Sequence, residues 1–466
     1  MTEKAKMTQY EKMTATPIPR LIATLSVPTI ISMLVTNIYN LVDTAFVGRL
    51  GTSASGAVGI VFGFMAIIQA FGFMFGQGSG SIISRALGGR DTETASRTAS
   101  TGCFGSFMCG AAITVIGFAN VDRIIFALGS TETIAPYAKT YISFILAAAP
   151  FMAMSFTMNN ILRYEGKAAL GMIGLMTGAI LNMAGDPIFM FAMHMGIAGA
   201  GLSTCLSQIV SFGILLGMFM TNRTESRLSL SNVSWHNIAL PANIMATGFP
   251  SLLRQGLNSF TTVLLNTNAA VYGDAAVAAM SIVSRISFFV ISIGLGIGQG
   301  FQPVSGFNYG AKKYRRLRQG YKTTIIMMTC VILIGASIVL LNLENMIGLF
   351  RDDPEVIVVG TRALKLQMFS LICLPPCMST EMLYQSTGRR MGATLLSALR
   401  NGLIFIPALL ILAQLRGLSG IQEAQPVSQV LALPLTVLLG FLFFRKLPDE
   451  DMQTENDLRR SWRSEN

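Results

Sequence analysis

The sequence predicts an all-α membrane protein, with twelve transmembrane helices in two six-helix bundles related by a pseudo-two-fold axis along the membrane normal. Three observations lead there. The chain of 466 residues is 52% hydrophobic and only 12% charged, whereas soluble proteins carry about 25% charged residues. Its apolar residues form long uniform runs, each near the ~20 residues a bilayer requires, rather than the alternating pattern of a β-barrel. The chain also repeats itself at a fixed offset of 222 residues, which places Pro28 on Pro250 and Gly76-Gln77-Gly78 on Gly298-Gln299-Gly300.

The predicted spans cover residues 22–48, 54–84, 96–120, 134–161, 168–191, 196–220, 242–271, 276–306, 320–343, 357–386, 391–413 and 424–445. Those longer than a bilayer needs imply tilt or extension beyond it. The offset also maps Gly51 onto Gly273, Gly72 onto Gly294, Gly88 onto Gly310, and Gly166-Lys167 onto Gly388-Arg389. Six spans per repeat is an even number, so both copies face the same way and a site is expected between or within them.

The boundaries drawn on this basis are a tail (1–21), an amino lobe (22–220), a linker (221–241), a carboxyl lobe (242–446) and a second tail (447–466). The net charge of +11 does not require nucleic acid. Arg85, Arg90, Arg97, Arg163, Lys167, Arg223, Arg227, Lys312, Lys313, Arg315, Arg316, Arg318, Lys322, Arg389 and Arg390 fall on one set of short loops. By the positive-inside rule that side is cytoplasmic, and both tails lie on it. The expected location is the cytoplasmic (inner) membrane. The first apolar run is too long for a signal peptide and no small-residue cleavage site follows it, so no cleavable leader is expected.

Polar residues inside the spans are the candidates for chemistry, because an ionised group in hydrocarbon is costly. Asp43 lies among Leu41, Val42, Ala45 and Phe46, with Tyr39 one turn before it. It either lies at the membrane surface as a solvated cap or serves a function within the span. In the fifth span, Asn182 and Asp186 are one turn apart and Pro187 follows, so together they could hold a cation or a proton. Asp186 alone also fits a cap ahead of a helix restarting at Pro187. A proton site needs one or two desolvated carboxylates; a sodium site needs several oxygens, which Asp43, Asn182, Asp186 and Thr204 could supply.

The second repeat has Leu265 where the first has Asp43. Its notable acid is Glu381, which either binds a cationic substrate or second ion, or pairs with Arg389 or Arg390 near the cytoplasmic end. Arg254, Arg285 and Arg400 also fall in spans. Pro28, Pro150, Pro250, Pro375, Pro376 and Pro407 interrupt helices, each freeing a carbonyl and permitting a bend. A bend at Pro28 would move the segment carrying Asp43.

Cys103, Cys109, Cys205, Cys330, Cys373 and Cys377 all fall in apolar segments and read as small buried residues. The histidines, His194 and His236, lie in loops, which argues against zinc chemistry and histidine proton relays. GQGSGS at Gly76 has no preceding strand and reads as small residues at helix contacts rather than a phosphate loop. No Walker motif is present, so ATP does not drive the chain directly.

Taken together, YNLVDTAFVGRLG in the first span, GQGSGSIISRALGGRD closing the second, LRYEGK after the fourth, NMAGDPIF in the fifth and GIAGAGLST entering the sixth resemble the MATE family of multidrug and toxic compound extrusion transporters. The resemblance covers essentially the whole chain. It implies two bundles opening alternately to each side, and export of varied, often cationic, amphipathic compounds against inward flow of H+ or Na+. The cation site it implies comprises Asp43, Tyr39, Asn182, Asp186 and Thr204, with Asn159 as a further member. In the carboxyl lobe, Gln255 stands near an acid of some members' seventh helix, and Glu381 loosely matches one in the tenth.

The resulting reading is a secondary antiporter for a small-molecule drug or cationic metabolite, a monomer in contact with membrane lipid, with no cofactor beyond its coupling ion. Two alternatives stand beside it. A lipid-linked oligosaccharide flippase of related architecture would need a strongly cationic cavity, for which only Arg254, Arg285 and Arg400 offer themselves. An integral membrane enzyme would need clustered catalytic groups that the sequence does not contain.

Overall fold

The computed structural model describes residues 8–234, 238–448 and 451. His236, Lys4, Lys6 and most of the carboxyl-terminal tail lie outside the described residues. Among those described there is no strand, and twelve long helices carry the chain: α1 (Ile18–Gly48), α2 (Thr52–Gly88), α3 (Thr92–Ala119), α4 (Ala135–Tyr164), α5 (Ala168–Ala192), α6 (Ile197–Met220), α7 (Ala239–Ala270), α8 (Asp274–Gly310), α9 (Tyr314–Leu340), α10 (Pro354–Ser386), α11 (Arg390–Arg416) and α12 (Leu418–Arg445). Eleven are long and apolar enough to cross a membrane. The exception is α7, which has the length, with 32 residues. Its hydropathy is lowered by Arg254, Gln255, Asn258, Asn266 and Asn268.

The sequence repeat is also a repeat of backbone geometry. Helices α2 and α8 begin and end 222 residues apart, at Thr52 and Asp274 and at Gly88 and Gly310. The turns repeat in φ: Gly51 and Gly273 at 114° and 95°, Gly166 and Gly388 at 78° and 77°, and even the non-glycine pair Arg90 and Lys312 at 62° and 58°. Ahead of α6 and α12 the matching residues are Gly196 and Gly417, with φ of 56° and 61° and ψ of −130° and −135°. Only glycine adopts that conformation readily. Their offset is 221, one residue shorter, so the two copies differ in length by one residue between Gly388 and Gly417.

The prolines do less to the helices than the sequence suggests. Pro28, Pro150 and Pro250 sit inside unbroken helices. At Pro28 the next turn is tied by the Ser32 hydroxyl, which donates to the Pro28 carbonyl at 2.9 Å. Elsewhere the helix changes character beside a proline: Leu371–Cys373 is a 3-10 turn just ahead of Pro375 and Pro376. Two π turns also occur, Ile188–Ala192 after Pro187 and Leu399–Ile404 in α11, which ends just ahead of Pro407.

Small residues let the helices approach closely. On α2, a Cβ added at Gly76 would lie 2.7 Å from the Asn160 Cβ, and one at Gly80 would lie 2.2 Å from the Tyr164 ring. Gly298, the counterpart of Gly76, meets Met382, the counterpart of Asn160. The glycine-rich stretch is thus a helix-packing seam. Of the cysteines, Cys103, Cys205 and Cys377 are buried, Cys109 and Cys373 are partly so, and Cys330 is exposed. The expectation of burial for all six is corrected, since a uniformly apolar span does not reveal which face meets lipid.

The chain groups into two compact units. One takes the described residues up to Val27, residues 81–95 and those from Phe260 on; the other takes 28–80 and 96–259. In the second unit, residues of α1, α2, α4 and α6 surround one buried apolar cluster that includes Val47, Val61, Ile68, Tyr141, Ile145 and Ala200. In the first, α8 lies against α9 and α10, and α12 against α10 and α11.

Candidate cation site in the first repeat

Four helices of one unit bring the site together. Helix α1 supplies Tyr39 and Asp43, α4 supplies Tyr141, α5 supplies Asn182 and Asp186, and α6 supplies Ser203 and Thr204. On α5 the i, i+4 spacing stacks Asn182 over Asp186, and the Asn182 amide donates to the Asp186 carboxylate at 3.3 Å. The same amide nitrogen lies 3.3 Å from the Ser203 hydroxyl and 3.2 Å from that of Thr204. Ser203 in turn donates to the Asn182 carbonyl at 3.1 Å, which locks α5 and α6 together.

The carboxyls of Asp43 and Asp186 stand within hydrogen-bonding reach of each other. Tyr39 and Tyr141 stand close to both acids, and the Tyr141 hydroxyl pairs with Thr204. Asp186 is fully buried and Asp43 is 8% exposed. One oxygen on each, Asp43 Oδ1 and Asp186 Oδ2, is buried and accepts from no donor. Two facing carboxylates with orphaned buried oxygens cannot both stay charged in a medium of low dielectric unless a proton or cation joins them. The carboxylate, phenol and hydroxyl oxygens gathered here are the donor type of a hard cation, while Asn182 presents N–H donors to them.

Tyr39, Asp43, Asn182, Asp186 and Thr204 are therefore brought into one cluster. Asn159 is not. Its amide lies against Gly171, near the start of α5, and from Tyr141 to Asn159 helix α4 advances about 27 Å. The sequence motifs point to neither Tyr141 nor Ser203. Ser203 sits beside Thr204 in GIAGAGLST, where the polar pair was legible; Tyr141 carries no signal that separates it from other aromatic residues in an apolar span.

In the second repeat, Glu381 is 7% exposed and accepts the Ser397 hydroxyl at 2.8 Å, bridging α10 and α11. Arg389, one of its two candidate partners, instead lies over the Phe443 ring at 4.6 Å. Gln255 is half-buried on α7. Arg285 is exposed.

The MatE family pattern matches residues 28–188 and again 250–410, two copies separated by the same 222 residues found within the sequence. The chain belongs to the MatE family. It is 28% identical to the multidrug export protein MepA of Staphylococcus haemolyticus over 423 residues, covering 91% of this chain and 93% of that protein. It superposes on the outward-facing conformation of a multidrug resistance MATE family transporter of the MOP superfamily with a TM-score of 0.89. That match has 26% identity and covers 95% of this chain and 99% of the other. A MATE structure in a bent conformation matches with a TM-score of 0.88 at the same identity and coverage. This MatE protein is accordingly a multi-pass membrane protein whose relatives are transporters. The flippase alternative gains no support from them.

Proposed function

We propose that this MatE protein exports amphipathic, often cationic drugs or toxic compounds by alternating access, driven by inward movement of H+ or Na+ through the Asp43–Asp186 site. The observation that carries this reading is the pair of facing carboxyls with one orphaned oxygen each. Of the two ions, the arrangement favours H+. The Asn182 amide shares its two N–H bonds among oxygens of Asp186, Ser203 and Thr204, leaving fewer lone pairs for Na+, whereas a proton needs only one orphaned carboxylate oxygen.

Facing outward, the pair loads a cation, α1 bends or shifts about Pro28, and drug affinity falls. Facing inward, the cation leaves and drug binds again. By linkage, drug and cation compete through their different affinities for the two states. Glu381, buried and bonded to Ser397, is proposed to contact the cationic part of the substrate. The protein works as a monomer in the cytoplasmic membrane, with both tails inside. A drug-uptake assay in inverted vesicles tests the reading, first under an imposed proton gradient and then under a sodium gradient. Proton-driven uptake is expected, and it is lost in Asp43→Asn while the protein stays in the membrane. Undiminished uptake by that variant would sink the coupling scheme.

A further inference from the structure

The segments that lead into the two repeats are both built into the opposite repeat. The lead-in to repeat one is a short helix, Gln9–Ala15, closed at its start by a capping box between Thr8 and Glu11. Its Met13 and Thr14 are buried. Its exit is held by the α8–α9 turn of repeat two: Asn308 donates to the Met13 carbonyl at 3.3 Å, Lys313 to Thr14 at 3.5 Å and Arg316 to Thr16 at 2.6 Å. Arg316 also donates to Asn308 at 3.2 Å, so two of the donors are braced against each other.

The lead-in to repeat two, the linker, seats on repeat one. Glu165, at the α4–α5 turn, is fully buried. It accepts the backbone N–H of Glu225 and of Ser226, each at 2.9 Å, and the Ser226 hydroxyl. Burial pushes the Glu165 carboxyl above the usual carboxylate range, opposed by those three donors and by Lys167. A buried acid is retained at such cost only where it is fully hydrogen-bonded. Lys167 adds an ion pair to Glu225 at 2.7 Å and a hydrogen bond to the Arg223 carbonyl at 2.6 Å. Further along, the N–H groups of Arg227, Ser229 and Ser234 donate to Ser96, Ser100 and Thr101 of α3 at 3.0, 3.1 and 3.1 Å.

The exchange continues into the helices that follow. Ser26 of α1 fills the space beside Gly300 of α8, and its hydroxyl donates to the Ile297 carbonyl at 3.4 Å. Gly78 of α2 has the Ile244 carbonyl of α7 2.1 Å from where a Cβ would stand. The compact units follow most of this pattern: residues up to Val27 group with most of repeat two, and the linker with α7 up to Ser259 groups with most of repeat one. Residues 81–95 of repeat one are the exception, grouping with the first lead-in, where Arg90 lies over the Tyr10 ring at 4.3 Å.

We propose that these lead-ins are exchanged clasps that stay closed through the transport cycle, so that each travels with the opposite repeat and the flexing falls within α1 beyond Val27 and within α7 beyond Ser259. The clause about the cycle rests on the alternating-access reading above; the clasps themselves do not.

Trypsin on inverted vesicles tests the clasps without any transport. In Glu165→Ala, cleavage after Arg223 and Arg227 is expected to speed by about tenfold, because cleavage follows the population of the opened segment, with cleavage after Lys12 unchanged. Glu165→Gln, which keeps the shape and part of the acceptor capacity, falls between. Asn308→Ala does the converse, exposing Lys12 and leaving the linker protected. Equal acceleration at every site in all three variants, or none at any, overturns the clasps. A reversible link between cysteines placed at Thr14 and Lys313 tests their closure during the cycle. Drug uptake is expected to survive the link, and loss of uptake that returns when the link is cleaved overturns the proposal. If the unlinked protein moves no drug at all, the transport reading fails, while the trypsin pattern still decides the clasps.

Discussion

Asn182 and Asp186 face each other one turn apart on α5, with the amide nitrogen 3.3 Å from the carboxylate oxygen. That nitrogen also reaches Ser203 and Thr204, so one side chain organises three acceptors. Replacing it with leucine of similar volume removes the donor and leaves a buried acid poorly satisfied. The expected cost is about 1–3 kcal/mol, measured as a lower thermal midpoint in detergent. The decisive readout is the pH dependence of drug uptake: Asn182→Leu should displace it, because the protonation of Asp186 is no longer set against that donor. An unchanged pH profile at reduced stability would show that Asn182 only packs.

Glycine at position 78 is required by geometry rather than by flexibility. A Cβ there would stand 2.1 Å from the Ile244 carbonyl oxygen and 3.0 Å from the Gly248 nitrogen. Both are backbone atoms and neither can rotate away. Gly78→Ala should therefore destabilise by about 1–3 kcal/mol, the usual range for overpacking. Gly59 on the same helix has nothing within 4 Å of its Cβ position, and Gly59→Ala should stabilise by about 0.5–1 kcal/mol through helix propensity. Thermal midpoints of the two variants should move in opposite directions; a shift of the same sign would refute the seam.

Outside the membrane, Asp91 caps α3. Its carboxylate accepts the Thr94 N–H at 2.9 Å, and the hydroxyl and N–H of Thr94 hold its carboxyl below the ordinary range. A folded-state value below the unfolded one gives stability that is present above the unfolded value and is lost as pH falls through the folded one. Asp91→Ala should cost about 1 kcal/mol at neutral pH, as other N-cap losses do. The gap between the two proteins should close on acidification below the carboxylate range, and a gap that persists there would exclude the charged cap as its source.

Much of this was legible in the sequence because hydrocarbon penalises charge so heavily. Asp43 and Asp186 stood out as acids in apolar runs, and the helix limits recur at the 222-residue offset that the sequence displays. What was not legible is which faces meet. In uniformly apolar spans the periodicity that orients a soluble helix is missing, so Tyr141 could not be assigned to the site, nor Cys330 to an exposed face, nor Asn159 to a place away from the cluster. Glu165 was hidden for the opposite reason. In LRYEGK it reads as one more cytoplasmic loop charge, and only the return of the linker, sixty residues later in the chain, buries it.

The sharpest test of the moving part concerns Pro28. It lies in the interior of α1, where the helix continues unbroken from Ile18 to Gly48, and one compact unit ends and the other begins between Val27 and Pro28. Proline in a helix interior removes one hydrogen bond and costs about 3 kcal/mol or more, so its presence weakens α1 at the point where the clasped lead-in meets the segment carrying Asp43. Pro28→Ala restores the missing N–H donor. The thermal midpoint should hold or rise, while the rate of proton-driven drug uptake should fall by about tenfold, equivalent to 1.4 kcal/mol on the barrier. Pro250→Ala, at the matching position of α7, should act in the same direction, and the double variant should be slower than either alone. Full uptake rates in a stabilised Pro28→Ala protein would place the bend elsewhere and leave this proline a packing residue.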